Sequence, residues 1–168
     1  MHGSKQFRIA VIDGQGGGIG AQLVEQLALA LPAGKAEIIA LGTNALAAGK
    51  MLRAGANEAA SGENAIIFNA KRADLLVGTL GMLMPCGFSG EMTTAAAEAV
   101  SSAPVPKYVL HLNRSGVEVI GKLQEPLPHL VDLLVNKVRE LFAEQWGQLE
   151  RPRSAGVVAG GKTTGPTP

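Results

Sequence analysis

The first apolar run, Phe7–Asp13 (FRIAVID), has the length and composition of a strand and leads directly into Gly14-Gln15-Gly16-Gly17-Gly18-Ile19-Gly20. Past those glycines the apolar period changes. Ile19, Leu23, Leu27 and Leu31 share one face of a helix predicted over 18–31, which Pro32–Gly34 stops. Ala36–Leu41 (AEIIAL) is nearly all apolar, as suits a strand covered on both faces. Asn44 then caps a second helix over Ala45–Ala54, and Gly55 closes it.

Residues 56–80 admit two readings. Propensity favours a strand at Ala65–Phe68, but that leaves too short a link to the strand at Leu75, since a parallel crossover needs about a dozen residues. Connection length therefore predicts a short strand at Ala56–Ala60, Ser61 as a cap, and a helix over 62–73 with Ile66, Ile67, Ala70 and Ala73 inward. A fourth strand follows at Asp74–Leu80, then a loop over Gly81–Gly90. Glu91–Ser102 is an Ala-rich helix stopped by Pro104 and Pro106, and Lys107–Leu112 is the fifth strand. After a turn at Asn113–Gly116, Val117–Ile120 pairs back as a short antiparallel edge strand. The last helix, Pro126–Trp146, carries a stripe of Leu130, Leu134, Val138 and Leu141, widened by Val131, Val135 and Phe142.

Alternating strands and helices predict an α/β fold: a doubly wound, mainly parallel, Rossmann-like sheet with a long C-terminal helix. One domain is expected over 1–150. Residues 151–168 hold too little apolar content to fold and are expected to form a flexible, disordered tail. Composition narrows the function classes. A net charge of +1 and an aromatic content of 4% give no footprint for nucleic acid. The single cysteine, Cys86, excludes an internal disulfide and the multi-cysteine zinc patterns, and a metal bridging Asp13 to phosphate would lack a second carboxylate, so no metal is expected. The longest apolar stretch, Leu75–Phe88, is interrupted by Thr79, Pro85 and glycines and falls short of the roughly 20 residues of a spanning helix. A cytoplasmic protein without membrane contact is the expectation.

The candidate chemistry lies in the glycine turn. Five glycines in seven positions between a strand and a helix let the backbone approach a ligand, while the helix start aims free amides and its positive dipole end there. Phosphate or pyrophosphate suits such a device. In a doubly wound sheet the crevice lies at the carboxyl ends of the strands, where the order reverses. This places Gly14, Gln15, Gly16, Gly17, Gly18, Ile19, Gly20, Thr43, Asn44, Thr79, Asn113 and Arg114 as the binding residues, with Ser61, Gly62, Asn64 and Gly81 on the same rim. Asn113 and Arg114 face the glycine loop across the crevice, and a guanidinium matches phosphate in a fork.

Two features qualify a dinucleotide. The end of the second strand is Gly42-Thr43-Asn44, without the acid that ordinarily holds ribose hydroxyls, and Lys50 and Arg53 lie one or two turns along the next helix. Asp13 beside the anion site would repel pyrophosphate unless its carboxylate turns to the loop amides. A second glycine motif, Gly156–Thr163, fits the P-loop pattern G-x-x-x-x-G-K-T, but only five residues follow Thr163, so no helix can form behind it. Cys86 reads as a small hydrophobe rather than a nucleophile, His111 as a half-buried strand residue, and His129 as a surface residue. Glu91 reads first as a carboxylate at a helix start, and second as a general base facing the crevice.

The glycine loop resembles the G-x-x-x-G-I-G turn of short-chain dehydrogenases, with Gly14, Gly18 and Gly20 in the glycine places. That resemblance stops at the loop: the family's Tyr-x-x-x-Lys pair is missing, since Tyr108 has Leu112 four residues on. Over Phe7 to about Gly121 the chain resembles an uncharacterised bacterial family, a domain of unknown function. The likeness is carried by IDGQGGGIG (Ile12–Gly20), ALGTNALA (Ala40–Ala47), AGANE and GENAI (Ala54–Glu58, Gly62–Ile66), and LNR with VEVIG (Leu112–Arg114, Val117–Gly121). It implies a Rossmann-like fold and no catalytic residues.

The expected function is binding of a nucleotide, most specifically a dinucleotide such as NAD or NADP, by a cofactor sensor or a small oxidoreductase of unknown substrate. The alternative is an interaction module using the Met82–Phe88 loop, with a purely structural glycine turn. Core packing is the simpler account of the last helix, whose wide apolar face also suits a homodimer.

Overall fold

Among the described residues, five parallel strands form the sheet in the order β3-β2-β1-β4-β5. They are β1 (Phe7–Asp13), β2 (Ala36–Gly42), β3 (Glu58–Ser61), β4 (Leu75–Thr79) and β5 (Lys107–Leu110). The helices are α1 (Gly18–Ala30), α2 (Ala45–Arg53), α3 (Glu63–Ala70), α4 (Thr94–Ser102) and α5 (Leu127–Leu149), with a short 3-10 turn at Leu80–Leu83. The structure is a computed structural model and describes residues 6–112, 116–120 and 125–149. The tail, with its P-loop-like motif, lies outside those residues.

β1 sits at the centre, with Ile9 paired to Ile38 of β2 on one side and to Leu75 of β4 on the other. Side chains alternate faces along a strand, and here both faces are covered. Phe7, Ile9 and Val11 pack against Leu23, Val24 and Leu27 of α1 and Val131, Leu134 and Val138 of α5. Ala10 and Ile12 pack on the opposite face with Ile66 and Ala70 of α3 and Ala96, Ala97 and Val100 of α4. This is the doubly wound, Rossmann-like α/β fold that the alternation of patterns predicts. Beside β1 the strand order reverses, β2 and β3 lying to one side and β4 and β5 to the other. The loops after β1 and β4 part there and leave a crevice.

Connection length was the right arbiter at 56–80. Ala65–Phe68 lies inside α3, and the strand before it is β3, begun at Glu58 rather than Ala56. Ser61 does not cap α3. It closes β3, while the Gly62 amide extends the ladder to the Gly42 carbonyl at 2.9 Å and Gly62 itself takes the cap position. α4 starts at Thr94 rather than Glu91, because the Thr93 hydroxyl accepts the Ala96 amide at 3.2 Å and caps the helix there. β5 ends at Leu110, which leaves His111 just past the strand. Val117–Ile120 forms no strand. The Val117 carbonyl is taken by His111 Nε2 at 2.6 Å, and Ile120 is exposed.

Candidate functional site

The glycine loop crosses the top of β1 in a conformation that its composition permits. Gly17 is left-handed (φ 66°) and occupies the cap position of α1. A side chain on Gly20 would meet Met51 Sδ at 2.5 Å and Asp13 Cβ at 2.7 Å, so α1 can lie this close to the end of β1 only with glycine there.

The Asp13 carboxylate turns to the loop amides, as the loop requires. It is buried, with Oδ1 accepting the Gly14 amide at 2.8 Å and Oδ2 the Gly20 amide at 2.7 Å. Burial pushes its carboxyl above the usual carboxylate range, against the pull of the Gly20 and Gly14 amides. Nearby Glu91 raises it further and Lys50 lowers it.

Several loop amides are thus already used. Gly14 and Gly20 bond Asp13, the Gly17 amide bonds the Gly14 carbonyl at 3.0 Å, and the Gln15 amide bonds Glu91 Oε2 at 2.8 Å. The amides of Gly16, Gly18 and Ile19 have no acceptor among the described residues. Lys50 comes to the same end of α1: its Nζ is 3.6 Å from where a Gly18 side chain would begin. The sequence places Lys50 along α2 and gives no sign of this approach. The combination of free amides, helix start and ammonium suits an anion.

Glu91 is the residue that sequence reasoning placed wrongly. It stands in the loop before α4 and reaches over the glycine turn to the end of β2. Its Oε2 accepts the Thr43 hydroxyl at 2.5 Å, the Gln15 amide at 2.8 Å and Asn44 Nδ2 at 2.8 Å. These donors, Thr43 first, hold its carboxyl below the usual range. Asn44 also caps α2, its Oδ1 accepting the Ala47 amide at 2.8 Å, and donates to the Gln15 carbonyl at 3.0 Å. Gln15 Nε2 donates to Ser89 Oγ at 2.7 Å. The missed signal was the pair Thr93-Thr94 followed by alanines, a better helix start than Glu91.

Opposite this bonded side the crevice stays open. A cavity of about 570 Å³ is lined by Asp13, Gln15 and Ile19, by Thr79 and Gly81 after β4, by the 84–89 loop, and by His111 and Leu112. Thr79 is therefore on the cavity wall, as the topology predicts. Cys86 is exposed there, not packed as a small hydrophobe, and Phe88 turns inward, so close to Gly14 that a side chain on Gly14 would lie 2.6 Å from the Phe88 ring. Asn113 and Arg114 lie outside the described residues. Among the described residues no group of three His, Cys, Asp or Glu side chains could hold a metal ion, and no helix is long and apolar enough to cross a membrane.

The chain belongs to the family described as Domain of unknown function (DUF3842), which matches residues 8–143. No curated protein matches the sequence significantly. The chain is similar to a universal stress protein solved in complex with cAMP, at 19% identity and a TM-score of 0.38, over 64% of this chain and 98% of that one. It is also similar to AibC, at 18% identity and a TM-score of 0.43, over 84% of this chain and 40% of that one.

Proposed function

We propose that this DUF3842 chain binds a nucleotide over the Gly14–Gly20 loop, most specifically a dinucleotide such as NAD or NADP, and acts as a sensor of that cofactor. The observation that carries this reading is the set of amides and the ammonium gathered at the start of α1. The Gly16, Gly18 and Ile19 amides are free among the described residues, and the Lys50 ammonium stands beside Gly18. A phosphate there gains charge-assisted hydrogen bonds and the helix dipole together. The adjoining cavity of about 570 Å³ falls in the usual range for a small-molecule site. A sensor is favoured over an oxidoreductase because Tyr108 lies in β5 with Leu112, not a lysine, four residues on.

The alternative, an interaction module built on Met82–Phe88, is disfavoured by the packing of that segment. Met82 is fully buried and Phe88 packs on Gly14 and Gly81.

The test is a thermal-shift titration with NAD, NADP, their reduced forms, FAD, ATP and S-adenosylmethionine, on wild type and Gly18→Asp. Among the described residues, the only atom outside its own helix and neighbours within 4 Å of a Cβ added at Gly18 is Lys50 Nζ, and an acid in the first helical turn is favourable, so the variant should fold. Wild type should show a saturable rise in melting temperature that the variant loses. A rise that survives in the variant would place the ligand elsewhere, and no rise with any ligand would sink the reading.

A further inference from the structure

We propose that Glu91 is the ribose-recognising acid of this site, accepting the 2′- and 3′-hydroxyls of the bound nucleotide and so excluding a 2′-phosphate. The proposal rests on the nucleotide reading above and names its ligand class: a dinucleotide with a free ribose diol. In doubly wound sheets the diol is ordinarily held by an acid at the end of the second strand. Here Gly42-Thr43-Asn44 stand at that place and offer no carboxylate. The structure supplies one from the other side of β1, since Glu91 Oε2 is held by Thr43, Asn44 and the Gln15 amide. All three partners belong to the rim on which a ribose rests when pyrophosphate lies on the start of α1.

The arrangement leaves one oxygen for a ligand. Oε2 takes three donors, whereas Oε1 takes none among the described residues, and Glu91 is exposed. An ionised carboxylate only accepts hydrogen bonds, which suits hydroxyls and opposes phosphate. Neither Thr43 nor Asn44 has a side-chain donor left for the ribose. The Thr43 hydroxyl proton goes to Glu91, and the Asn44 amide is shared between Glu91 and the Gln15 carbonyl.

The backbone also holds Glu91 in place. The Cys86 amide bonds the Met92 carbonyl at 2.8 Å and the Met92 amide bonds the Gly87 carbonyl at 2.9 Å. Within that closed loop Cys86, Phe88 and Ser89 all have positive φ (62°, 57° and 59°). Non-glycine residues adopt this region uncommonly, and three of them in four positions mark a shape maintained by its surroundings.

The experiment is calorimetric titration of wild type, E91Q and E91R with NAD and with NADP at low salt. Glu91 is exposed, so both variants should fold with only a small fall in melting temperature, which is measured first. Wild type should prefer NAD by at least about tenfold, E91Q should bring the two ligands within about threefold, and E91R should favour NADP. Equal affinity of wild type for NAD and NADP overturns the inference and leaves the nucleotide reading standing. Equal tightening of both ligands in E91Q also overturns it, because Glu91 would then be an obstruction rather than a receptor. Binding of neither dinucleotide by wild type overturns the inference, and if the other nucleotides in the thermal screen also fail, the broader reading falls with it.

Discussion

The two sides of the crevice are built on different terms. On the β2 side, Thr43, Asn44 and Gln15 are tied to one another and to Glu91, so this side is closed by polar bonds at the surface. On the β4 side, Thr79, Gly81, Phe88 and His111 stand around a cavity of about 570 Å³. The glycine loop belongs to both. Its two neighbouring carboxylates repeat the contrast, Asp13 buried beneath it and Glu91 exposed above it. A preformed polar side with an open partner suits a ligand that is recognised at one end and accommodated at the other.

The largest expected effect comes from breaking the floor that the two sides share. Gly17 is left-handed, and a side chain on it would lie 2.6 Å from Ala47 Cα in α2. Gly17→Ala should therefore cost about 2–4 kcal/mol, through backbone strain and overpacking together. Gly16→Ala, one position away with nothing within 4 Å, should cost less than about 1 kcal/mol. Urea denaturation of the pair measures the difference. Equal losses would mean that the loop does not sit on α2 as described.

Next in size is Asp13→Ala, which leaves the Gly14 and Gly20 amides without their acceptor. Each orphaned buried donor carries a penalty of about 1–3 kcal/mol, partly relieved if water enters from the cavity that Asp13 lines. A loss near 2 kcal/mol in the same assay is expected. A neutral result would show that Asp13 does not hold the loop.

Much of the framework was legible in the sequence, for local reasons. The strand, glycine turn and helix at 7–31 announce themselves by a change of apolar period, and Asn44 caps α2 because its side chain acts three residues away, on Ala47. Asp13 was legible because the amides that donate to it, those of Gly14 and Gly20, lie in the adjoining loop. The position of Glu91 was not legible: its partners Gln15, Thr43 and Asn44 are 76, 48 and 47 residues distant. Its nearest local cue, the dipole of α4, pointed to the wrong role. Lys50 was missed for the same reason, since only the packing of α2 on α1 carries its ammonium to Gly18.

A smaller effect separates Glu91 from Asp13. Glu91 is exposed, so Glu91→Ala should lower stability by less than about 1 kcal/mol. The consequence should instead be local: the Gln15 amide loses its acceptor, and its hydrogen exchange should quicken while that of Gly20 stays slow. Faster exchange at both amides would mean that the two sides open as one unit.

The finest test is titration, because the two carboxyls are displaced in opposite directions. Burial raises Asp13 from an ordinary 3.8, so its contribution to stability is full below that value and is lost as pH climbs through its raised folded value. Glu91 is lowered from an ordinary 4.5 by Thr43, Gln15 and Asn44, so its contribution is present above 4.5 and is lost as pH falls through its lowered folded value. Asp13 should therefore titrate above its ordinary value and Glu91 below its own, and carbon-detected NMR of the two carboxyls reads both displacements directly. Charge coupling sharpens the result. Glu91 raises Asp13 and Lys50 lowers it, so Glu91→Gln should move Asp13 down and Lys50→Met should move it up. If Asp13 is not raised and ignores both substitutions, the buried carboxylate and its exposed counterpart do not share one electrostatic site, and the contrast between the two sides is only one of solvent access.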